Sequence, residues 1–422
     1  MGNAKVERVG SVDILRGLVM FAMIFVNCGF YRQPPWCAHY PSGGDGITFV
    51  DVIFPAFLFL AGVSIPLAFE RYAATFAGKT LNLYHVVYRA ATLMVMGVLY
   101  VNTGFNVNRM GLTSSWWQFL VLALIVLVWH QYKGENKSGR IVSNAARIIG
   151  VAALIGYYFY YASPSGLPAI MGTELRPSWW GILGLIGRAY LIASLVYLAI
   201  GRKTELLMFA VLLATLIHVV SFGGGLKEWW WLSGGDRVMI TVGQASVTML
   251  GVVAGAKILD FQQFRADERH RKMIGFLIWF SLLAFACGIV LRKLYGLHKD
   301  STFPAYVYIT VGWTTAVWVA VYWFSDIKKI ENFATRFLLG VGSVALSAYV
   351  FSSLLRNALT LIPAGNGENL FQLLFKSLGP LCDRYGLPGL APFAGAFQTF
   401  CYALVVALLC LRLKKHKLTL KI

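Results

Sequence analysis

The sequence predicts an all-α fold, a polytopic transmembrane helix bundle of about twelve helices (10–12) with cytoplasmic N- and C-termini. Hydrophobic residues make up 58% of the 422 residues and charged residues only 13%, which is about half the charge of a soluble domain. The apolar residues form about twelve stretches, and basic residues gather in alternate connections between them. This composition excludes a disordered chain, a coiled coil and an ordinary soluble enzyme.

Each apolar stretch is predicted to be long enough to cross a bilayer, which needs ~20 helical residues. Each is predicted to be helical because backbone groups in lipid must find hydrogen-bond partners within their own segment. The stretches lie near residues 11–30, 48–69, 83–102, 116–132, 145–162, 180–200, 205–221, 240–258, 273–291, 303–324, 335–357 and 391–411.

The distribution of positive charge predicts the orientation. The net charge is +19, and the positive-inside rule places the basic start, the even-numbered connections and the C-terminal tail in the cytoplasm. We therefore attribute the charge to topology and to a lipid bilayer partner, and we do not expect nucleic acid. The basic segments are 5–8, 71–79, 133–147, 202–203, 265–272, 328–336 and 414–421.

The chain is predicted to be a single integral-membrane domain, residues 1–422. Its longest outer connection, residues 358–390, carries apolar residues at helical spacing between 370 and 378. They predict a short amphipathic helix that lies on the membrane surface or packs over the mouth of the bundle. Gly251 and Gly255 form a GxxxG pair, which favours close helix packing over a phosphate loop.

Ionisable residues within or beside the first two helices are the strongest indication of function. A charged group inside a span costs about 2.5–3.5 kcal/mol, so it usually faces a cavity or a partner. Asp13 and Arg16 are three residues apart on one helix face and can form a pair. That pair either anchors the helix at the interface or receives a phosphate near the cytoplasmic entrance, a role that suits the forked arginine side chain.

The loop after the first helix contains the candidate catalytic histidine. His39 lies between Trp36 and Tyr40, and Asp45 and Asp51 follow it. Asp51 is expected in the first turns of the second helix, where a carboxylate complements the helix dipole. His39 is either an ordinary polar loop residue or a catalytic group, and Asp51 either caps the helix or takes part in the chemistry.

A second outer loop carries His298 and Lys299 beside Asp300. This group either faces the same pocket as His39 or forms a solvated hairpin. The six cysteines include no CxxC pair, so no metal site is expected.

Residues 11–68 contain the ordered motifs SVDxxRG, VN, H and GxTxxDxxFPxFxFxxGxSI. This order resembles the heparan-α-glucosaminide N-acetyltransferase family of transmembrane acyltransferases. Residues 181–198, 240–259 and 301–315 are also similar, whereas 105–165 have no counterpart. The family's HxxWxG is HYPSGGDG in this chain, so the loop after His39 is longer and lacks the tryptophan.

The resemblance implies functions for individual residues. Its catalytic histidine corresponds to His39, its functional asparagine to Asn27 and its helix-start aspartate to Asp51. The family takes acetyl from cytosolic acetyl-CoA and transfers it to a sugar across the membrane. His39 either forms an acyl-imidazole or acts as a general base, with Asp51 or Asp45 orienting its ring and Asn27 stabilising the oxyanion.

The remaining site residues are assigned to the two substrates. Arg16, Asp13, Arg89 and Lys257 are expected around the CoA phosphates, and Trp36, Tyr40, His298 and Lys299 around the acceptor. The predicted protein is thus an acetyl-CoA-dependent acetyltransferase of a bacterial inner membrane, inferred from the compact bundle without the lysosomal enzyme's large lumenal domain. Its acceptor is an extracytoplasmic sugar or glycan, an amino sugar being favoured by the resemblance. A homodimer is left open.

Three alternatives remain. Twelve helices with cytoplasmic termini also describe many transporters, but these usually show internal repeats, which this sequence does not. A polysaccharide O-acetyltransferase would differ only in its acceptor. A non-catalytic membrane scaffold would not need a buried Asn27 or Asp51.

Overall fold

The computed structural model describes residues 9–29, 34–70, 76–101, 114–132, 137–162, 181–222, 236–365 and 367–420. Over these residues the chain is almost entirely helical, which confirms the predicted all-α fold. The elements are α1 (Gly10–Asn27), α2 (Phe49–Phe69), α3 (Phe76–Val101), α4 (Ser114–Trp129), α5 (Lys137–Ala162), α6 (Gly181–Ile200), α7 (Thr204–Phe222), α8 (Asp236–Phe261), α9 (Ala266–Tyr295), α10 (Pro304–Tyr322), α11 (Phe333–Gly342), α12 (Ala345–Thr360), β1 (Pro363–Gly365), β2 (Glu368–Asn369), α13 (Leu370–Phe375), α14 (Leu378–Arg384) and α15 (Ala391–Lys415).

Eleven of the twelve predicted apolar stretches coincide with a single helix, but not every helix is long enough to span a bilayer. Nine helices of the described residues have the length and composition of a span, or ten if α11 and α12 together form one broken span. The apolar parts of α4 and α5 are shorter, residues 115–129 and 141–156. The prediction of one helix over 335–357 is wrong, because this region consists of two helices, α11 and α12.

The chain divides into two compact units. Unit 1 comprises residues 1–19, 36–92 and 185–342, and unit 2 comprises 20–35, 93–184 and 343–422. Parts of the basic segments that predict the orientation, residues 5–8, 71–75, 133–136 and 421, lie outside the described residues.

In unit 1, helices α2 and α8 run parallel with their backbones in contact. A Cβ atom on Gly62 would lie 1.9 Å from the carbonyl oxygen of Thr248, and one on Gly251 would lie 2.0 Å from that of Phe59. Glycine is therefore required at these positions, since any side chain would collide with backbone. A Cβ on Gly255 would likewise lie 2.4 Å from the carbonyl oxygen of Val63. The close packing predicted for the GxxxG pair is confirmed.

Helices α9 and α10 form the most extensive helix pair of unit 1. A short turn over residues 296–303 joins them, and α10 begins with Pro304, whose fixed φ suits the first helical position. Helix α10 packs on α2 and α8 as well. At its other end, a π-helical turn (Trp323–Ile327) presents Asp326, whose carboxylate accepts hydrogen bonds from the N–H groups of Gly10 and Ser11. This contact caps the start of α1.

In unit 2, α4 packs on α5 and α12, and α15 packs on α12, α13 and α14. The connection at 358–390 contains the small β1–β2 hairpin and two short helices, α13 and α14. The rings of Phe371 and Phe375 both contact Tyr402 of α15, with centroids 5.5 Å and 5.1 Å apart. Of the two alternatives for the short helix, this contact supports packing against the bundle.

Candidate functional site

The candidate site of unit 1 is built around the start of α2. Thr48 is the N-cap residue, and Asp51 is the third residue of the helix. The backbone N–H of Thr48 donates to Asp51 Oδ2 at 2.9 Å, which satisfies a donor that the helix leaves unpaired. The hydroxyl of Thr48 donates to the carbonyl oxygen of Ala38 at 2.7 Å. The capping residue thereby fixes the chain immediately before His39.

The carboxylate of Asp51 is fully buried and accepts contacts on both oxygens. Its Oδ1 lies 2.6 Å from His39 Nδ1 and 3.2 Å from Lys299 Nζ. Its Oδ2 accepts the backbone N–H of Tyr40 at 3.0 Å in addition to that of Thr48. A buried charge is tolerated only when it is paired and hydrogen-bonded in this way. Asp51 therefore joins the His39 loop, the start of α2 and the α9–α10 turn.

This arrangement determines which nitrogen of His39 can react. An ionised carboxylate can only accept hydrogen bonds, so Nδ1 carries the proton and Nε2 of the neutral ring has a lone pair. The His39 side chain is 57% exposed, although its partner Asp51 is inaccessible. Among the described residues no hydrogen-bond partner occupies Nε2. An oriented imidazole with one accessible basic nitrogen can act as a nucleophile or as a general base.

Lys299 is positioned by contacts between the loop that precedes α2 and the α9–α10 turn. Gly46 N–H donates to the carbonyl oxygen of Leu297 at 3.0 Å, and Leu297 N–H donates to Asp45 Oδ1 at 2.8 Å. The Leu297 N–H and, secondarily, Arg292 hold the pKa of Asp45 below its usual value. Asp45 thus ties the loops together, and Asp51 is the carboxylate that orients His39.

The predicted acceptor residues surround this centre in different ways. Tyr40 packs its ring on the glycine loop, where a Cβ on Gly46 would lie 2.5 Å from ring carbons. Trp36 is 52% exposed, and its ring stacks on Phe49 with centroids 6.1 Å apart. The His298 ring contacts that of Phe303, with centroids 4.6 Å apart. Of the four predicted acceptor residues, only Lys299 and the backbone of Tyr40 contact the Asp51 carboxylate.

Arg16 belongs to α1 and contacts α2 well beyond Asp51, at Ser64. Arg16 donates to Asp13 at 3.1 Å, as the three-residue spacing predicts, and to the hydroxyl of Ser64 at 2.6 Å. Ser64 is about 20 Å beyond Asp51 along α2, at 1.5 Å of rise per residue. The Arg16 side chain remains 25% exposed.

Arg89 and Lys257 have partners of other kinds. The guanidinium of Arg89 lies over the ring of Tyr190, 5.2 Å from its centroid. Lys257 Nζ is 3.6 Å from Asp260, which also accepts from Arg202 at 3.1 Å. None of these contacts involves Arg16.

A pocket of about 240 Å³ lies at the opposite end of α9 and α10 from His39. It contains three basic residues that the sequence analysis did not select, Arg269, His270 and Lys329. His270 Nδ1 is 2.8 Å from the hydroxyl of Tyr322. These residues belong to basic connections that predict orientation, so sequence position alone does not separate a binding role from a topological one. The other lining residues include Phe261, Gln262, Met273, Ser325 and Asp326.

Asn27 belongs to unit 2, at the end of α1. It is exposed, so the prediction of a buried asparagine is wrong. Its carbonyl oxygen accepts a hydrogen bond from Arg356 at 3.3 Å. Asn27 borders a pocket of about 380 Å³. Within the described ranges, no group of three or more His, Cys, Asp or Glu is arranged to hold a metal ion.

Comparison with known proteins identifies relatives of the chain. Residues 8–217 match the family described as "Domain of unknown function (DUF5009)". The heparan-alpha-glucosaminide N-acetyltransferases of Mus musculus and Homo sapiens are 30% and 29% identical over 108 residues, which is 24% of this chain. The aligned segment spans only 15% of the length of these relatives. The chain is therefore a distant relative of the heparan-alpha-glucosaminide N-acetyltransferases, as the motifs at residues 11–68 predict.

Proposed function

We propose that the protein is a membrane acetyltransferase that moves acetyl from cytosolic acetyl-CoA to an extracytoplasmic sugar. The observation that carries this proposal is the buried Asp51 carboxylate, which holds His39 Nδ1 and leaves Nε2 accessible. The distant similarity to named N-acetyltransferases supports the type of reaction. An amino sugar is the favoured acceptor, and a bacterial inner membrane is the proposed location.

The proposed orientation gives the two ends of unit 1 different roles. With both termini cytoplasmic, the His39 cluster faces outward and the pocket containing Arg269 faces inward. An acetyl thioester of CoA is too polar to cross lipid, and an outer sugar cannot enter without a transporter. Transfer through the protein lets only the acetyl group cross the membrane.

The length of CoA supports a phosphate-binding role for Arg16. The arm between its thioester and its diphosphate contains about fourteen bonds and spans roughly 18 Å when extended. This reach matches the distance of about 20 Å along α2 between Asp51 and Ser64, the partner of Arg16. Gly10, at the start of α1, lies about 9 Å from Arg16 along the helix axis. Its N–H donates to Asp326, which lines the pocket that contains Arg269. The nucleotide end of CoA would then lie near the inner pocket, where Arg269, His270 and Lys329 supply positive charge.

Two reaction routes are compatible with this geometry. In the first, His39 Nε2 attacks the thioester carbonyl, the C–S bond breaks, and CoA leaves as a thiolate that takes up a proton. The acceptor amine or hydroxyl then attacks the acyl-imidazole and releases His39, while the acceptor's proton passes to solvent or to the ring. In the second, Nε2 removes the acceptor's proton as the acceptor attacks the thioester carbonyl directly, the C–S bond breaks, and the imidazolium gives the proton to the departing CoA thiolate.

The proposal is tested with purified full-length protein in detergent and radiolabelled acetyl-CoA, with and without glucosamine. We expect acceptor-dependent label in the sugar, and loss of at least 10²-fold of that activity in His39→Ala. His416→Ala is the matched control, because His416 is an exposed residue after α15. Asn27→Ala tests the oxyanion role that the family resemblance assigns to this asparagine.

The same assay separates the two routes. Labelled protein trapped without acceptor supports the acyl-imidazole, and label that persists in His39→Ala excludes His39 as its carrier. Full sugar acetylation by His39→Ala would overturn the proposed chemistry. Uptake of sugar into proteoliposomes without acetyl-CoA would support a transporter instead.

A further inference from the structure

The pocket of unit 2 has the lining of a site for a small polar ligand. Its volume is about 380 Å³, and the ends of α1, α3 and α12 contribute to it. Three tyrosines, Tyr100, Tyr349 and Tyr402, line it, and the centroids of the first two rings are 5.6 Å apart. Pockets that combine aromatic surface with a few fixed polar groups are typical of small-molecule sites.

The tyrosine hydroxyls are already used within the protein. That of Tyr100 is hydrogen-bonded to the hydroxyl of Ser353, and that of Tyr402 donates to the carbonyl oxygen of Ser352. These bonds fix the rings, so they offer a preorganised apolar surface. Gln118 and Arg356 also line the pocket and supply polar side chains. A sugar ring, with C–H groups on its faces and hydroxyls at its edge, matches this combination.

The charge of the pocket selects among sugars. Arg356 is the only charged residue among the described lining residues, which include no aspartate or glutamate. Arg356 donates to a neutral group, the carbonyl oxygen of Asn27, at 3.3 Å. Lys376 lies outside the pocket lining, near the end of α1, where its Nζ is 3.6 Å from the position of a Cβ on Gly29. A lining cation without a lining carboxylate opposes a protonated amine and favours a carboxylate.

We propose that this pocket binds a carbohydrate that carries a carboxylate, with Arg356 on the carboxylate and the tyrosine rings against the sugar. The inference concerns unit 2 alone and does not rest on the proposed acetyl transfer. A simpler role for both cations is to stabilise the carbonyl end of α1. If this were their only role, replacing Arg356 would lower the thermal stability of the protein, and no sugar would bind in the pocket.

The test is a saturation-transfer NMR titration of full-length protein in detergent, without acetyl-CoA, using glucuronate, glucose and glucosamine as probes. We expect glucuronate to bind at least tenfold more tightly than glucosamine, with glucose between them. Arg356→Gln should weaken glucuronate about tenfold and remove this preference, since a charge-assisted pair is lost. Lys415→Gln, which removes an exposed cation at the end of α15, should leave both affinities unchanged.

Further variants keep the inference falsifiable if Arg356→Gln does not fold. Arg356→Lys should retain the preference for glucuronate with a weaker affinity, because it keeps the charge and loses the fork. Gln118→Ala should weaken all three sugars. Equal or tighter binding of glucosamine in wild-type protein, or no binding of any probe, would overturn the inference. Because no acetyl donor is present, these outcomes are independent of the His39 assay.

Discussion

The Asp51→Asn variant is the most direct test of the His39 cluster. The carboxylate of Asp51 receives His39 and Lys299 on Oδ1 and two backbone N–H groups on Oδ2. Asparagine replaces one acceptor oxygen with an NH₂ group. This donor must then face either His39 and Lys299 or the two backbone N–H groups, which are themselves donors. Neither orientation of the amide preserves all the contacts.

The two orientations have different costs. If the NH₂ group faces His39, Nδ1 must become the acceptor and the proton moves to Nε2, which can then no longer attack or take a proton. In serine-protease triads this wrong tautomer lowers kcat about 10⁴-fold. If the NH₂ group faces Tyr40 and Thr48 instead, the helix loses its cap at a cost of about 1–2 kcal/mol. We therefore expect kcat to fall about 10²–10⁴-fold, or the unfolding temperature to fall.

The assay is acetyl transfer from radiolabelled acetyl-CoA at saturating acceptor, together with thermal unfolding in detergent. Asp300→Asn is the matched control. Asp300 is an exposed carboxylate next to Lys299 in the α9–α10 turn, and it accepts a hydrogen bond from Gly43 N–H at 3.3 Å. Its kcat should stay within about threefold of the wild type. Unchanged kcat and unchanged unfolding temperature in Asp51→Asn would refute the role assigned to this carboxylate.

Three further predictions concern other contacts of unit 1. Lys299→Met leaves the buried Asp51 carboxylate without its cation, so we expect the rate of acetyl transfer to fall about tenfold, while Lys299→Arg keeps the charge and most of the activity; equal activity of the two variants would contradict this. Gly251→Ala should destabilise the protein by about 1–3 kcal/mol in thermal unfolding, because its Cβ would collide with the Phe59 carbonyl oxygen. The control Gly275→Ala, whose Cβ would have nothing within 4 Å, should be neutral or slightly stabilising. The lowered pKa of Asp45 means that its contribution to stability is present above about pH 4 and is lost as the pH falls through the folded-state value. Asp45→Asn should therefore lose less stability than wild type between pH 6 and pH 3. Parallel curves of unfolding temperature against pH for the two proteins would argue against this contribution.

The sequence predicts those features that depend on local spacing. Apolar length gives the positions of the helices, and the three-residue spacing gives the Asp13–Arg16 pair. The break between α11 and α12 is not predictable in this way, because the apolar stretch continues through it. At this point Gly342 approaches α1 so closely that a Cβ would lie 2.1 Å from the Asp13 carbonyl oxygen. Such a contact depends on tertiary packing.

The same distinction holds for the candidate site. His39 and Asp51 are close in sequence, so their association could be inferred, but the choice between Asp45 and Asp51 could not. That choice depends on Leu297 N–H, which engages Asp45 from a distant part of the chain. Lys299 and the residues of the two pockets are likewise brought together only by the fold. For Arg269, His270 and Lys329, the available signal was positive charge, which topology already explains.

The distance in sequence between Asp51 and Lys299, about 250 residues, has a consequence for biosynthesis. At 5–20 residues per second, a ribosome needs roughly 10–50 s to make the lysine after the aspartate. During that interval the nascent α2 carries an anion whose cationic partner does not yet exist. Early intermediates must therefore keep this end of α2 hydrated, and truncated chains that end before α9 should be preferred targets of membrane quality control.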